Sequence, residues 1–131
     1  EIIMTTAPKK VFLVDDDADI IAQNKMVLEA KGFIVEDAAS AKEAGEKIGS
    51  FKPDVIILDV MMEHPRAGLE FAGKIATEKG MPKIPIILLT SDGHNPAWLS
   101  EPNFTWVKIA QVLDKPVTPE KLVDTINKIL K

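Results

Sequence analysis

At 131 residues the chain has the length of one ordinary domain, enough to bury a core without metal or disulfide staples. A net charge of −4 with both signs interspersed argues against a general nucleic-acid or anionic-membrane surface, and the absence of cysteine excludes disulfides, thiolate catalysis and Cys-ligated zinc. No apolar stretch approaches the roughly 18 residues of a membrane span, and these features are compatible with a cytoplasmic setting.

Residues 1–9 read as a natural tail or an expression remnant, because Glu1-Ile2-Ile3 precede Met4 and Thr5-Thr6-Ala7-Pro8 has no periodicity; the domain then runs over 10–131. The first predicted strand, Lys10 to Asp15, contains Val11-Phe12-Leu13-Val14, the unbroken apolar run of a strand covered on both faces. Over Asp17 to Lys31, Ile20, Ile21, Val27 and Leu28 recur at helical spacing with Asn24 between them, and Gly32 supplies a stop. Phe33 to Glu36 is a short second strand. Ser40 with Glu43 three residues on makes a capping box that opens a helix over Ala41 to Ile48. Asp54 to Asp59 is the third strand, and a helix from Gly68 to Lys79 comes after a loop containing Pro65. Ile84 to Leu89 is the fourth strand, entered through Pro85. Pro96 and Pro102 interrupt the stretch beyond it, so the fourth helix is short, displaced or broken. Gln111 to Asp114 is the fifth strand, with the weakest pattern of the five. Thr118 before Pro119 and Glu120 starts the last helix, whose apolar stripe is Leu122, Val123, Ile126, Ile129 and Leu130.

Strands alternating with helices predict an α/β domain with a doubly wound, five-stranded parallel sheet. Asp15 and Asp16 then follow the first strand, Asp59 ends the third, Thr90 follows the fourth and Lys115 the fifth, all at one end of the sheet. A strand order of 2-1-3-4-5 makes strands one and three neighbours at the topological switch point, where the carboxylates can converge. Like charges there disfavour one another's ionisation unless a cation offsets them, and an all-oxygen site with open water positions suits Mg²⁺. Lys115 adds a movable positive charge and Thr90 a hydroxyl donor. Such a set suits phosphoryl transfer, in which positioning and charge neutralisation do most of the catalysis, with a carboxylate as nucleophile.

In these residues the chain resembles the receiver domain of two-component response regulators. The matching elements are Val-Asp-Asp-Asp at 14–17, Pro-Asp-Val-Ile-Ile-Leu-Asp-Val-Met-Met at 53–62, Gly-Leu-Glu at 68–70, Ile-Ile-Leu-Leu-Thr-Ser at 86–91 and Asp-Lys-Pro-Val at 114–117. The resemblance covers nearly everything from Lys10 to Leu130 and implies a flavodoxin-like fold. It implies that Asp59 is the phosphoacceptor, Asp16 a direct Mg²⁺ (or Mn²⁺) ligand, Asp15 a ligand through water or an orienting neighbour, and Met61 a ligand through its backbone carbonyl. Thr90 resembles the switch hydroxyl, Ser91 the small residue that lets a phosphoryl group approach, and Lys115 the lysine that pairs with phosphoryl oxygen. The bond before Pro116 is usually cis in this family. The implied donor is the phosphohistidine of a sensor kinase or phosphotransfer protein, and the implied role is a signalling phosphoacceptor rather than an enzyme.

Several residues carry plainer readings. Asp17 reads as a helix cap or first-turn acid rather than a metal ligand. His64 and His94 lack a second ligand at helical spacing and read as surface residues, Met61 and Met62 as loop or packing side chains, and Trp98 and Trp106 as local packing, since no basic patch accompanies them. The chain also departs from the family pattern. Val112 stands three before Lys115 where an aromatic is usual, Glu63-His64-Pro65-Arg66 lengthens the loop after Asp59, and the segment from Thr90 to Lys115 is long and rich in Pro, Asn and Trp. That segment belongs to the surface the family uses for partners and dimers, which makes a homodimer one candidate assembly. The competing reading is a degenerate receiver acting as an interaction module without phosphorylation. An Asp-x-Asp phosphatase lacks its second aspartate, a flavin site lacks its phosphate loop, and a nucleotide site lacks Gly-x-x-x-x-Gly-Lys. The downstream partner is not specified, and the chain is either a stand-alone regulator or a receiver cut from a longer protein.

Overall fold

The computed structural model describes residues 8–59, 71, 84–90 and 109–130. Five strands, β1 (Lys10–Val14), β2 (Ile34–Ala38), β3 (Val55–Asp59), β4 (Ile86–Thr90) and β5 (Ile109–Asp114), pair in parallel in the order β2-β1-β3-β4-β5. Among the described residues, the helices α1 (Ala18–Ala30), α2 (Ala41–Phe51) and α3 (Pro119–Ile129) accompany them.

Side chains alternate across each strand, so the apolar runs feed two cores. Phe12, Val14, Ile56, Leu58, Ile86 and Leu88 pack on one face with Ala44 and Ile48 of α2. Val11, Leu13, Val55, Ile57, Ile87 and Leu89 pack on the other with Leu28 of α1 and Leu122 and Ile126 of α3. The sheet is thus covered on both sides, the doubly wound arrangement that near-continuous apolar strands require. Phe12 anchors the first face through Phe51, with centroids 5.9 Å apart, and through Phe71, edge-on at 6.4 Å. Truncating a buried aromatic of this kind costs about 3–5 kcal/mol.

Each helix starts where a side chain satisfies its orphan amides. Asp17 Oδ1 accepts from the amides of Asp19 and Ile20 at 3.0 and 3.3 Å, Ser40 Oγ from Glu43 at 3.1 Å, and Thr118 Oγ1 from Lys121 at 3.1 Å. Gly32 adopts a φ of 95°, a left-handed conformation that glycine reaches without steric cost, and it lies just past the end of α1.

The element boundaries differ from the sequence expectation in instructive ways. β2 extends to Ala38, because charged Glu36 and Asp37 are tolerated on an edge strand. α2 continues through Gly49 and Ser50 to Phe51, whose ring is held against Phe12, and Lys52 then stops it at a φ of 54°. β5 begins two residues earlier, at Ile109. The expected helix at 68–79 and the proline-interrupted segment at 91–108 lie outside the described residues, except that Phe71 is helical. The same holds for the loop at 63–66, His64, His94, Met61, Met62, Ser91, Trp98 and Trp106. Among the described residues, no helix is long and apolar enough to cross a membrane.

Candidate functional site

The register of the two central strands brings the acidic residues together. Val14 of β1 lies opposite Leu58 of β3, so Asp15 and Asp59 emerge side by side at the C-terminal end of the sheet. Both are 4 % exposed, while Asp16 lies in solvent. One carboxylate oxygen from each of Asp15, Asp16 and Asp59 falls within 4.8 Å of the other two.

Lys115, just past β5, reaches into this group. Its Nζ is 3.2 Å from Asp59 Oδ1 and 3.6 Å from Asp15 Oδ2. Burial works against the ammonium charge, but the carboxylates of Asp59 and Asp15 outweigh it, and the Lys115 pKa is raised above the ordinary lysine value of 10.5. The Lys115 amide donates to the Thr90 carbonyl at 2.7 Å, which ties the ends of β4 and β5, and the Lys115–Pro116 bond is cis. Thr90, 4 % exposed, directs its hydroxyl to Asp114 Oδ1 at 3.5 Å. Asp17, as its position suggests, caps α1, and its own amide donates to Asp15 Oδ1 at 3.0 Å.

Asp15 Oδ2 is the exception to this satisfaction. It is buried without a hydrogen-bond donor among the described residues, and the ammonium at 3.6 Å is an ion-pair partner rather than a hydrogen bond. A buried carboxylate oxygen left in this state is costly unless a cation or bound water completes it. Three carboxylates offering hard oxygen donors fit a divalent cation of the Mg²⁺ type, which takes one or two carboxylates and keeps several waters.

The structure therefore gathers Asp15, Asp16, Asp59 and Lys115 at one point, with Thr90 at the end of the adjoining strand; Met61 and Ser91 lie outside the described residues. Sequence reasoning overlooked two neighbours. Asp114 engages the Thr90 hydroxyl, a relation signalled only by the β4–β5 register, which pairs the two residues. Asn24, buried on α1, helps line a cleft of about 410 Å³ with Ile20, Gln23, Leu89, Lys115, Pro116 and Val117 beside the acidic group.

Comparison with known proteins agrees with this arrangement. The family model described as the response regulator receiver domain matches residues 11–127. The phosphate regulon transcriptional regulatory protein PhoB of Pseudomonas aeruginosa is 29% identical over 123 residues, which cover 94% of this chain and 52% of that protein. The chain thus spans about half the length of that relative. Among solved structures, the chemotaxis response regulator CheY4 of Vibrio cholerae superposes with a TM-score of 0.77 at 29% identity, covering 94% of this chain and 99% of that one. A CheY-like receiver domain protein from Methanospirillum hungatei gives 0.78 at 28% identity, covering 95% and 94%.

Proposed function

The chain belongs to the response regulator receiver domain family, the signalling phosphoacceptor module of two-component systems, and on that premise we propose that Asp59 accepts a phosphoryl group from the phosphohistidine of a sensor kinase or histidine phosphotransfer protein. The observation that carries this reading is the pairing of Asp59 Oδ1 with Lys115 Nζ at 3.2 Å beside the unsatisfied Asp15 Oδ2. A buried carboxylate with an ammonium on one side and cation-seeking oxygens on the other is suited to receive an anionic group.

Asp15, Asp16 and Asp59 would hold Mg²⁺ or Mn²⁺, joined by the backbone carbonyl of Met61 and by water. When bound, the ion neutralises charge on the phosphoryl oxygens. A carboxylate oxygen of Asp59 attacks phosphorus in line, the P–N bond to the donor histidine breaks, and its electron pair stays on the imidazole nitrogen. Lys115 exchanges its contact with Asp59 for one with a phosphoryl oxygen, and Thr90 supplies a hydroxyl donor to another. Ser91 leaves room for the group. The modified pocket favours a second arrangement of the β4–β5 end, and that population shift is what a downstream protein reads. A cytoplasmic setting, a kinase partner and self-association belong to the same proposal, as does a domain extending over 10–131.

Incubation with acetyl phosphate and Mg²⁺ followed by intact mass measurement should show one added phosphoryl group in the wild type and none in Asp59→Asn. A gain that persists in Asp59→Asn would remove the assignment. One observation favours a second reading, an interaction module that works without phosphorylation: Val112 packs against the first core face and offers no aromatic ring or polar atom to couple to Thr90. Beryllofluoride titration in Mg²⁺ separates the two, because the interaction module would not bind it.

A further inference from the structure

Thr90 and Asp114 are the last residues of their strands and lie opposite each other in the parallel register. The 2.7 Å bond from the Lys115 amide to the Thr90 carbonyl fixes the two backbones, so the meeting of their side chains is imposed by the sheet. Thr90 is buried between the ends of β3 and β5, and among the described residues its hydroxyl's acceptor is Asp114 Oδ1 at 3.5 Å. A hydroxyl has a single proton to donate. It can serve the Asp114 carboxylate or an anion at Asp59, and not both at once.

We propose that Asp114 is a positioning residue that retains the Thr90 hydroxyl on the β5 side until a phosphoryl group at Asp59 takes it over. The inference rests on Asp59 being the phosphoacceptor and Thr90 a donor to the phosphoryl group. Four features support it. Asp114 is exposed and lies outside the cluster of Asp15, Asp16 and Asp59, so its contact with Thr90 is not incidental to cation binding. A donor–acceptor distance of 3.5 Å is at the outer limit for a hydroxyl bond, which makes the contact cheap to give up. Once released, Asp114 faces water and is not stranded. Val112, two residues earlier on β5, has no polar atom with which to take the role.

The test is a double-mutant cycle on beryllofluoride affinity in Mg²⁺, read by calorimetry on the full chain. Asp114→Ala removes the competing acceptor and should tighten binding roughly two- to threefold, the low end of what one hydrogen bond is worth. Asp114→Asn keeps an acceptor without the charge and should tighten it less. In a Thr90→Val background, Asp114→Ala should leave affinity unchanged, since no hydroxyl remains to be released. Equal tightening with and without the Thr90 hydroxyl would mean that Asp114 acts only as a repelling charge, and no tightening in either background would mean that it holds nothing; both overturn the inference while leaving the function of Asp59 intact. If Asp59→Asn still binds beryllofluoride, or if Thr90→Val alone binds as well as the wild type, the reading of the site falls and this inference falls with it.

Discussion

Two charge clusters built from the same residue types sit on this sheet and behave differently. Along the β2 edge, Lys25 pairs with Asp37 at 3.2 Å, and Lys47 pairs with Glu43 at 2.8 Å and Glu36 at 3.6 Å while also donating to the Asp37 carbonyl at 2.6 Å. These side chains are 30 to 39% exposed, so water screens them and satisfies what they leave over. At the C-terminal end of the sheet, three carboxylates gather, one ammonium pairs with the two buried ones, Asp15 and Asp59, and Asp16 stands in solvent beside them. The first cluster closes on itself and protects an edge strand. The second keeps negative charge that the described residues do not neutralise, and such a surplus makes a site.

Lys115→Met should break the comparison most sharply. Without a divalent cation, the pocket loses its counter-charge, and stability should fall by about 1–2 kcal/mol, less than for a fully buried pair because the lysine side chain is 23% exposed. Added Mg²⁺ should recover part of that loss in denaturant titrations, and an equal deficit with and without Mg²⁺ would argue against a cation-binding pocket. The same variant carries a pH signature. Because the folded Lys115 pKa is raised above 10.5, its stabilising contribution is present in full below that value and disappears as the pH climbs through the folded pKa. The wild type should therefore lose stability more steeply than Lys115→Met in strongly alkaline buffer.

Asp15→Asn comes next. Removing one buried carboxylate should weaken Mg²⁺ binding by about tenfold, roughly 1.4 kcal/mol, while the metal-free protein melts no lower than the wild type because repulsion with Asp59 is relieved. Calorimetric titration and thermal melts read the two effects separately, and unchanged Mg²⁺ affinity would sink the ligand role of Asp15.

Glu43→Gln at the β2 edge should do least. The hydrogen bond from Lys47, then that from the Ala39 amide, hold the Glu43 pKa below 4.5, so its contribution is present above that value and fades as acid protonates the folded carboxylate. Exposed pairs of this kind are worth under about 1 kcal/mol, and Mg²⁺ affinity should not move. A change in Mg²⁺ binding comparable to that of Asp15→Asn would show that the two clusters communicate.

The sheet, its order and the convergence of Asp15, Asp16, Asp59 and Lys115 could be read from the sequence, because apolar runs that end in polar residues encode both burial and the functional end of a parallel sheet. Less legible were features set by tertiary contact. Gly49 and Ser50 resemble a helix end, yet Phe51 packing on Phe12 carries α2 past them. β5 is weakly patterned because it is an edge strand on which Leu113 is the buried residue, with Gln111 and Asp114 exposed. Which aspartate is buried, Asp15 rather than Asp16, depends on where β1 stops pairing, and the partnership of Thr90 with Asp114 on a register that no local motif reveals.

The order of the strands also sets the order in which charges meet as the chain folds. β1 and β3 pair directly and can bring Asp15 next to Asp59 while Lys115 still hangs on a segment that docks beyond β4. Parallel pairings between distant segments form slowly, so the repulsion between the first two strands has time to act. Docking of β5 would then bring in the Lys115 ammonium, which offsets part of that repulsion. Ionic strength and divalent cations should therefore govern how fast this protein folds, in addition to how firmly it holds once folded.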